Sequence, residues 1–444
     1  MYTVFVCEKE ELRMETLVLL LFVLGLIACV ISGAPVVWAL LWGLVLFCCY
    51  AKKQGFSVRE IARMLWQGVK KVKNIVIVMA LIGALTASWR ICGTIPYIVY
   101  HAAGLIVPRY FILCAFLLCI GISFMTGSAF STASTVGAIC MMLGRATGVS
   151  PVPLAGAILA GCFWGDRCSP MSTSALLVAS ITRTSIYDNI RTMLKTAMAP
   201  LVLSLAIYFL LGSDPSAASG NALAAFERSF ALVWPLALPA VLTLTLCLFK
   251  VDVKKTMLLS TVLSVILAVF IQHVSIPDVL RCLITGYHPQ NDPELSALLS
   301  GGGVTSMLNV ILIICLSSSY SGIFEKTGLL SGVGHVLQKL AQRTTREIAF
   351  TLAAILSCMI ACNQTLATLL TEQLLRPVVP DDRERASWLE DTVIIIAPLV
   401  PWTIAAGVPL ATLGADSRSI LYACYLYLIP IWLILRSLWR KHSR

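Results

Sequence analysis

A carboxylate and a guanidinium side by side in an apolar run are the residues of this chain whose types most clearly suggest chemistry. The stretch from Pro153 to Ser180 is long and apolar enough to cross a bilayer, yet its centre carries Gly165, Asp166, Arg167, Ser169 and Pro170. Charges at membrane depth cost at least about 2.5–3.5 kcal/mol each, so they persist where they face a cavity, a partner or a substrate. Gly165 and Pro170 also interrupt the helix, and a mid-membrane break leaves carbonyl and amide groups free to coordinate ions. Asp166 beside such carbonyls suits Na⁺ or a proton, which compete for the same oxygens. Its other readings are an ion pair with Arg167 and a cap on a half-helix. Ser169, Ser172, Thr173 and Ser174 add hydroxyls able to ligate a cation or bond a substrate, although Ser and Thr also bond their own helix backbone.

A second polar set lies at the tips of two helical hairpins. Residues 110–143 read as one hairpin, with Thr126, Ser128, Ser131 and Thr132 at the tip, and residues 347–375 as another, with Asn363, Gln364, Thr365 and Thr368. Each arm reads as too short to cross a core about 30 Å thick, so re-entrant hairpins are expected; a continuous, interrupted helix is the competing reading for the first. Close packing through small residues is the bland account of the first tip. Asn363 and Gln364 resist it, because amides in apolar surroundings need partners. Further along, residues 389–413 form a second proline-broken segment, in which Thr403 is the hydroxyl candidate. Glu390 and Asp391 open that segment. They read either as an ion or proton relay or as acidic residues stabilising a helix N-terminus near the surface. Glu372 and Glu325 are boundary carboxylates of the same kind, and His101 and His335 read as packed or interfacial.

The elements that must hold these residues are transmembrane helices. Of 444 residues, 58% are hydrophobic and 12% charged, with mean hydropathy +0.88, whereas soluble domains carry about 25% charged residues. The class is therefore an all-α polytopic membrane protein, with the lipid bilayer as its first partner. The net charge of +11 does not indicate nucleic acid, because the basic residues fall between apolar segments. The 16 cysteines form no C-x-x-C pair and sit mostly inside apolar runs, as small hydrophobes. No P-loop and no nucleotide-domain-sized soluble segment is present, which argues against an ATP-driven machine. No acid/base or nucleophile cluster stands out for an enzyme, and no cofactor is expected.

The halves repeat in pattern at an offset of about 235. The tip around 126–132 falls opposite 362–368, and Ser169-Pro170-Met171 is set against Ala397-Pro398-Leu399. Residues 1–212 and 230–444 then read as two repeats joined by an external linker, 213–229. With the N-terminus cytoplasmic and both hairpins returning to their own side, 26 Lys/Arg lie inside and six outside, with Arg167 in the membrane. That bias agrees with the positive-inside rule. It gives about ten crossings, five per half, hence inverted repeats with both termini cytoplasmic. Residues 52–73, with seven Lys/Arg and apolar positions at helical spacing, read as an interfacial helix.

These motifs resemble the NhaC-type Na⁺/H⁺ antiporters of the ion transporter superfamily. The residues carrying the resemblance are G-A-I-L-A-G-C-F-W-G-D-R-C-S-P-M-S (156–172), T-G-S-A-F-S-T-A-S-T-V-G (126–137), T-E-Q (371–373) and L-E-D-T with A-P-L-V-P-W-T (389–403). The resemblance implies a secondary transporter of inverted repeats in the cell membrane, exchanging Na⁺ or another monovalent cation for H⁺ by alternating access. Where the family continues with D-T-T this chain has Thr173, Ser174 and Ala175, and T-E-Q replaces G-D-Q. Relatives also exchange organic acids, so transport of a small organic anion or amino acid is the alternative, and a homodimer is left open.

Overall fold

The computed structural model describes all residues except 1, 33, 104–106, 213–225, 250, 290–294, 297–298, 328, 330–344 and 443–444. Most of the expected linker, and His335, fall outside the described residues, as does the side chain of Glu325. Among the described residues the chain is helical, with no strand beyond an isolated bridge between Tyr287 and Gly301. The helices of the first half are α1 (Tyr2–Ser32), α2 (Val36–Lys53), α3 (Val58–Lys71), α4 (Lys73–Ile91), α5 (Thr94–Ala103), α6 (Pro108–Thr126), α7 (Ala129–Thr132), α8 (Ala138–Ala146), α9 (Pro151–Cys168), α10 (Thr173–Thr182) and α11 (Ile186–Leu210). The second half contributes α12 (Leu238–Leu248), α13 (Val253–Phe270), α14 (Ile276–Thr285), α15 (Leu308–Thr327), α16 (Arg346–Ala361), α17 (Gln364–Leu375), α18 (Asp382–Asp391), α19 (Val393–Ile396), α20 (Ile404–Leu413) and α21 (Cys424–His442).

Among the described residues six helices are long and apolar enough to cross a membrane, and a seventh span is the pair Asp382–Leu399 and Ile404–Leu413, bent by 51°. Three further apolar helices, Leu17–Cys29, Trp234–Cys247 and Cys424–Trp439, are shorter. The chain is thus a multi-pass membrane protein with broken helices.

Both hairpins form, and the first differs from expectation in length. Its arm α6 has 19 residues, about 28 Å at 1.5 Å per residue, so it matches the core on its own. The return arm runs through α7, a π turn at Ala133–Gly137 and α8. At its far end an added Cβ on Gly144 would lie 3.3 Å from the Phe111 ring, which brings the two ends of the hairpin together. The arms of the second hairpin, 16 and 12 residues, are short. The two tips share one device: a left-handed residue closes the first arm, Gly127 (φ 66) or Cys362 (φ 54), and the next residue, Ser128 or Asn363, caps the second. A left-handed residue ends a helix and lets the chain reverse, and the capping oxygen satisfies amides that the new helix leaves open.

The amphipathic segment forms α3 and packs one face against the protein. Ser57 and Glu60 form a capping box that starts α3, and its buried stripe, Ile61, Met64 and Gly68, is covered by α15. An added Cβ on Gly68 would fall 2.2 Å from the Ser318 carbonyl oxygen, and one on Gly322 2.0 Å from that of Met64, so the two backbones touch. Arg59, Arg63 and Lys70 face outward.

Candidate functional site

Two broken helices and two hairpin tips converge. The first break, Ser169 to Ser172, separates α9 from α10. Ser169 is buried and its hydroxyl donates to the Phe124 carbonyl of the first hairpin at 2.7 Å. Gly127 makes the close approach there, because a Cβ on it would lie 2.5 Å from the Met171 carbonyl carbon. The second break, Val400 to Thr403, precedes α20, and Ile404 N donates to the Cys362 carbonyl of the second tip at 3.0 Å. Each tip therefore leans on the break of its own half. Thr403 caps α20, accepting from Ala406 N at 3.2 Å, as Ser172 caps α10. Proline stands two residues before each cap, so Pro401, not Pro398, is the counterpart of Pro170; Pro398 lies in a preceding 3-10 turn.

Across the halves, Asp166 receives neutral donors. Ser174 Oγ lies 3.0 Å from Asp166 Oδ2, Gln364 Nε2 donates to the same oxygen at 3.2 Å, and Ser172 Oγ is 3.4 Å from Oδ1. Ser172 Oγ also donates to the Asp166 backbone carbonyl. Gln364 is held by both halves: its Nε2 also donates to Ile394 O at 3.1 Å, and its Oε1 lies 3.3 Å from Ser174 Oγ. Asp166 is buried, 6% exposed. Among the described residues it has no ion-pair partner, and the pairing with Arg167 does not form.

Arg167 instead points across the interface to Asp391, with which its Nη2 forms a buried ion pair. The same guanidinium donates to Thr196 Oγ1 at 2.8 Å, Met193 O at 3.2 Å and Tyr425 Oη at 3.2 Å, and Thr196 Oγ1 donates to Asp391 Oδ1 at 3.1 Å. Asp391 and Glu390 end α18 instead of opening a helix at the surface. The helix starts at Asp382, capped by Asp381, so the charged run 382–388 is part of it and both acids are carried into the interior. A carboxylate at a helix C-terminus gains nothing from the dipole, so the pairing with Arg167 is what supports Asp391. Glu390 is fully buried, and neither carboxylate oxygen has a hydrogen-bond partner among the described residues.

The remaining candidates sit further out. Thr173 is exposed at the first position of α10, and Ser174 beside it makes the contact. Thr126 Oγ1 donates to Ile122 O at 2.9 Å and lies 3.3 Å from Thr132 Oγ1. Ser128 and Asn363 are occupied as helix caps, and Thr365 is exposed. Asn363 and Thr365 line a cavity of about 390 Å³ with Lys71, Ser318 and Ser321. Glu372 pairs with Arg385, Oε1 to Nε 3.3 Å, away from the Asp166 group. His101 is exposed and its ring lies tilted against Tyr97, ring centroids 4.4 Å apart. Thr196 and Tyr425 had no signal in the sequence, being a lone hydroxyl and a lone phenol in apolar helices.

Broken helices that meet hairpin tips around buried carboxylates define a polytopic membrane carrier. The chain belongs to the Na⁺/H⁺ antiporter family, whose profile matches residues 12–213 and 176–438. It is 28% identical over 406 residues to the Na⁺/H⁺ antiporter NhaC of Bacillus subtilis (strain 168), covering 87% of this chain and 88% of that one. It is 25% identical over 442 residues to the malate-2H⁺/Na⁺-lactate antiporter of the same organism, covering 96% and 93%. The arginine/ornithine antiporter ArcD of Halobacterium salinarum (strain ATCC 700922 / JCM 11081 / NRC-1) is 25% identical over 434 residues, covering 94% and 89%.

Proposed function

We propose that the chain exchanges a monovalent cation, Na⁺ first, for protons by alternating access in the cell membrane, with Asp166 as the shared ligand. The observation that carries this is the sorting of charges: Arg167 is committed to Asp391, while among the described residues Asp166 has only neutral donors, from Ser174, Ser172 and Gln364. A carboxylate among hydroxyls, an amide and unwound carbonyls offers hard oxygen ligands. Ser172, Ser174 and Gln364 complete the site, and Ser169, Gly127 and Thr403 position it through the tips and caps. Thr126, Ser128, Asn363 and Thr365 act at the tips and not as direct ligands, and Thr173 is spectator to Ser174. Sequence repeats 1–212 and 230–444 supply the moving halves, and both termini are cytoplasmic.

The test is proton flux in inside-out vesicles under an imposed proton gradient. Adding Na⁺ or Li⁺ dissipates the gradient, and Asp166→Asn removes at least nine-tenths of that response; no response of the wild type to any monovalent cation would sink this reading. A second reading, coupled movement of a small organic anion or amino acid, is favoured by the cavity beside the second tip. Lys71 and Asn363 line it, and the buried Ser318 hydroxyl there has no partner among the described residues. Competition of uptake by unlabelled organic acids separates the two, since a cation-only response rejects it.

A further inference from the structure

We propose that the cavity beside the second hairpin tip binds an oxyanion carried on a short apolar body, and that this ligand is not cargo but a brake that holds the tip. Binding stands apart from the antiport reading, and its effect on flux rests on that reading. The cavity, about 390 Å³, lies between the α3–α4 joint, the second half of α15 and the tip itself. Its volume falls within the range of small-molecule sites, about 300–1,000 Å³. None of Asp166, Ser172, Ser174 and Gln364 lines it, so it is separate from the proposed cation site.

The polar lining is rich in donors and short of acceptors. Lys71 is the one charged group among its described lining residues, and no carboxylate joins it. Helix α4 starts at Lys73, directly after Val72, whose side chain cannot cap it. Its first amides therefore present the positive end of a helix to the cavity, which favours an anion. Lys254 Nζ reaches the same turn, donating to Asn74 Oδ1 at 3.0 Å, and adds positive charge there. Asn363 spends its side-chain oxygen on Thr365 N and Leu366 N, at 2.9 and 3.3 Å, so what it has left for a ligand is the NH₂ group.

Ser318 is the observation that asks for a ligand. It belongs to the run S-S-S-Y-S at 317–321 of α15. Ser317, Ser319 and Ser321 donate to the carbonyls of Ile314, Leu316 and Ser318 at 3.2, 2.6 and 2.9 Å, as serines in helices commonly do. Ser318 departs from that habit: it is 4% exposed, it lines the cavity, and its hydroxyl has no partner among the described residues. A buried hydroxyl left unmet is costly, and an oxyanion in the cavity supplies its acceptor. The rest of the lining, Val72, Ile75, Ala361, Leu366 and Leu369, is apolar and suits a hydrocarbon body better than a bare inorganic ion.

The brake follows from position. Asn363 and Thr365 flank Gln364, which donates to Asp166 Oδ2 at 3.2 Å and to Ile394 O at 3.1 Å. A ligand held by Asn363 on the tip and by Lys71 and Ser318 on the surrounding helices ties the tip to α3 and α15. Any step of exchange that moves the tip is then slowed while the ligand stays bound.

Hexanesulfonate is the probe, because it stays ionised and carries no protons across a bilayer. Equilibrium dialysis of the full chain in detergent is expected to show saturable binding of labelled hexanesulfonate, with methanesulfonate and hexanol each competing at least about tenfold more weakly. Ser318→Ala and Lys71→Gln are each expected to weaken binding about tenfold, the loss of one hydrogen bond to a charged group. Ser318→Ala should unfold at the wild-type temperature without ligand, since its hydroxyl bonds nothing among the described residues. Wild-type affinity in Ser318→Ala overturns the site. In proteoliposomes hexanesulfonate should slow exchange of labelled Na⁺ by the wild type, and the same concentration should leave Ser318→Ala running at its own ligand-free rate. Binding that leaves wild-type exchange unchanged overturns the brake, and coupled uptake of labelled hexanesulfonate makes the anion cargo and overturns it as well. Phosphatidylglycerol that displaces the probe identifies a lipid headgroup as the natural anion, and failure to displace it identifies a soluble acid; the site stands in both cases. A wild type without cation-driven exchange fails the antiport reading, and the dialysis still decides the site.

Discussion

Arg167 and Asp391 are 224 positions apart in the chain, and their contact is the strongest single statement the structure makes about this molecule. Arg167 is wholly buried and Asp391 nearly so. Removing one partner of such a pair leaves an uncompensated charge, at a cost of about 3–5 kcal/mol. Arg167→Gln and Asp391→Asn are each expected to lose roughly that much stability by denaturant unfolding in detergent. The double substitution is expected to cost less than the two together, because residues in contact are not additive. The adjacent residue behaves differently: Asp166→Asn keeps its volume and its neutral neighbours, so flux is lost while unfolding changes little. Asp166 was legible in the sequence because a charge in an apolar run stands out. Its partner relations were not, since nothing in a linear chain says whether Asp166 or Asp391 takes the guanidinium. Thr173 and Ser174 differ by one step of a helix, about 100° of rotation, which spacing alone could not resolve.

At the level of elements, the breaks and tips were readable from Gly, Pro and hydroxyls interrupting apolar runs, and two boundaries were not. The start of α18 was hidden because D-R-E-R-A-S-W is a polar helix that carries no hydropathic signal. Its true start moves Glu390 and Asp391 from a helix beginning to a helix end. The counterpart of Pro170 was misassigned to Pro398 because both lie in apolar proline motifs; the cap geometry, Ser172 and Thr403, picks Pro401. Glycine matters where backbones touch. A Cβ on Gly165 would sit 2.1 Å from the Ser123 carbonyl carbon, where α6 and α9 cross. Gly165→Ala is expected to cost at least about 1–3 kcal/mol, as overpacking against rigid backbone does. Gly127→Ala adds the strain of a left-handed residue, about 1–2 kcal/mol, to its clash with Met171. Both should appear as lowered thermal unfolding temperatures, with Gly127→Ala also weakening the apparent affinity for the cation.

For the whole molecule, contacts tie segments of the two halves together. Arg145, at the base of the first hairpin, donates to the Leu413 and Gly414 carbonyls at the end of α20, and α10 and α11 pack on α18. The distribution of Lys and Arg predicts which loops face each side. A membrane-impermeant maleimide on intact cells is expected to label Arg418→Cys and to spare Arg191→Cys; the reverse pattern inverts the topology. Gln364 joins the halves as well, its amide donating at once to Asp166 of one half and to Ile394 of the other. A carboxamide is a dipole with a donor side and an acceptor side, and a metal ion arriving on Asp166 repels the first and attracts the second. Filling the site therefore favours turning the amide over, which takes its NH₂ away from the Ile394 carbonyl. A proton on Asp166 demands no such reversal. At the proposed site the orientation of this one side chain would differ between the two cargoes, and its bond to Ile394 would carry that difference to the other half.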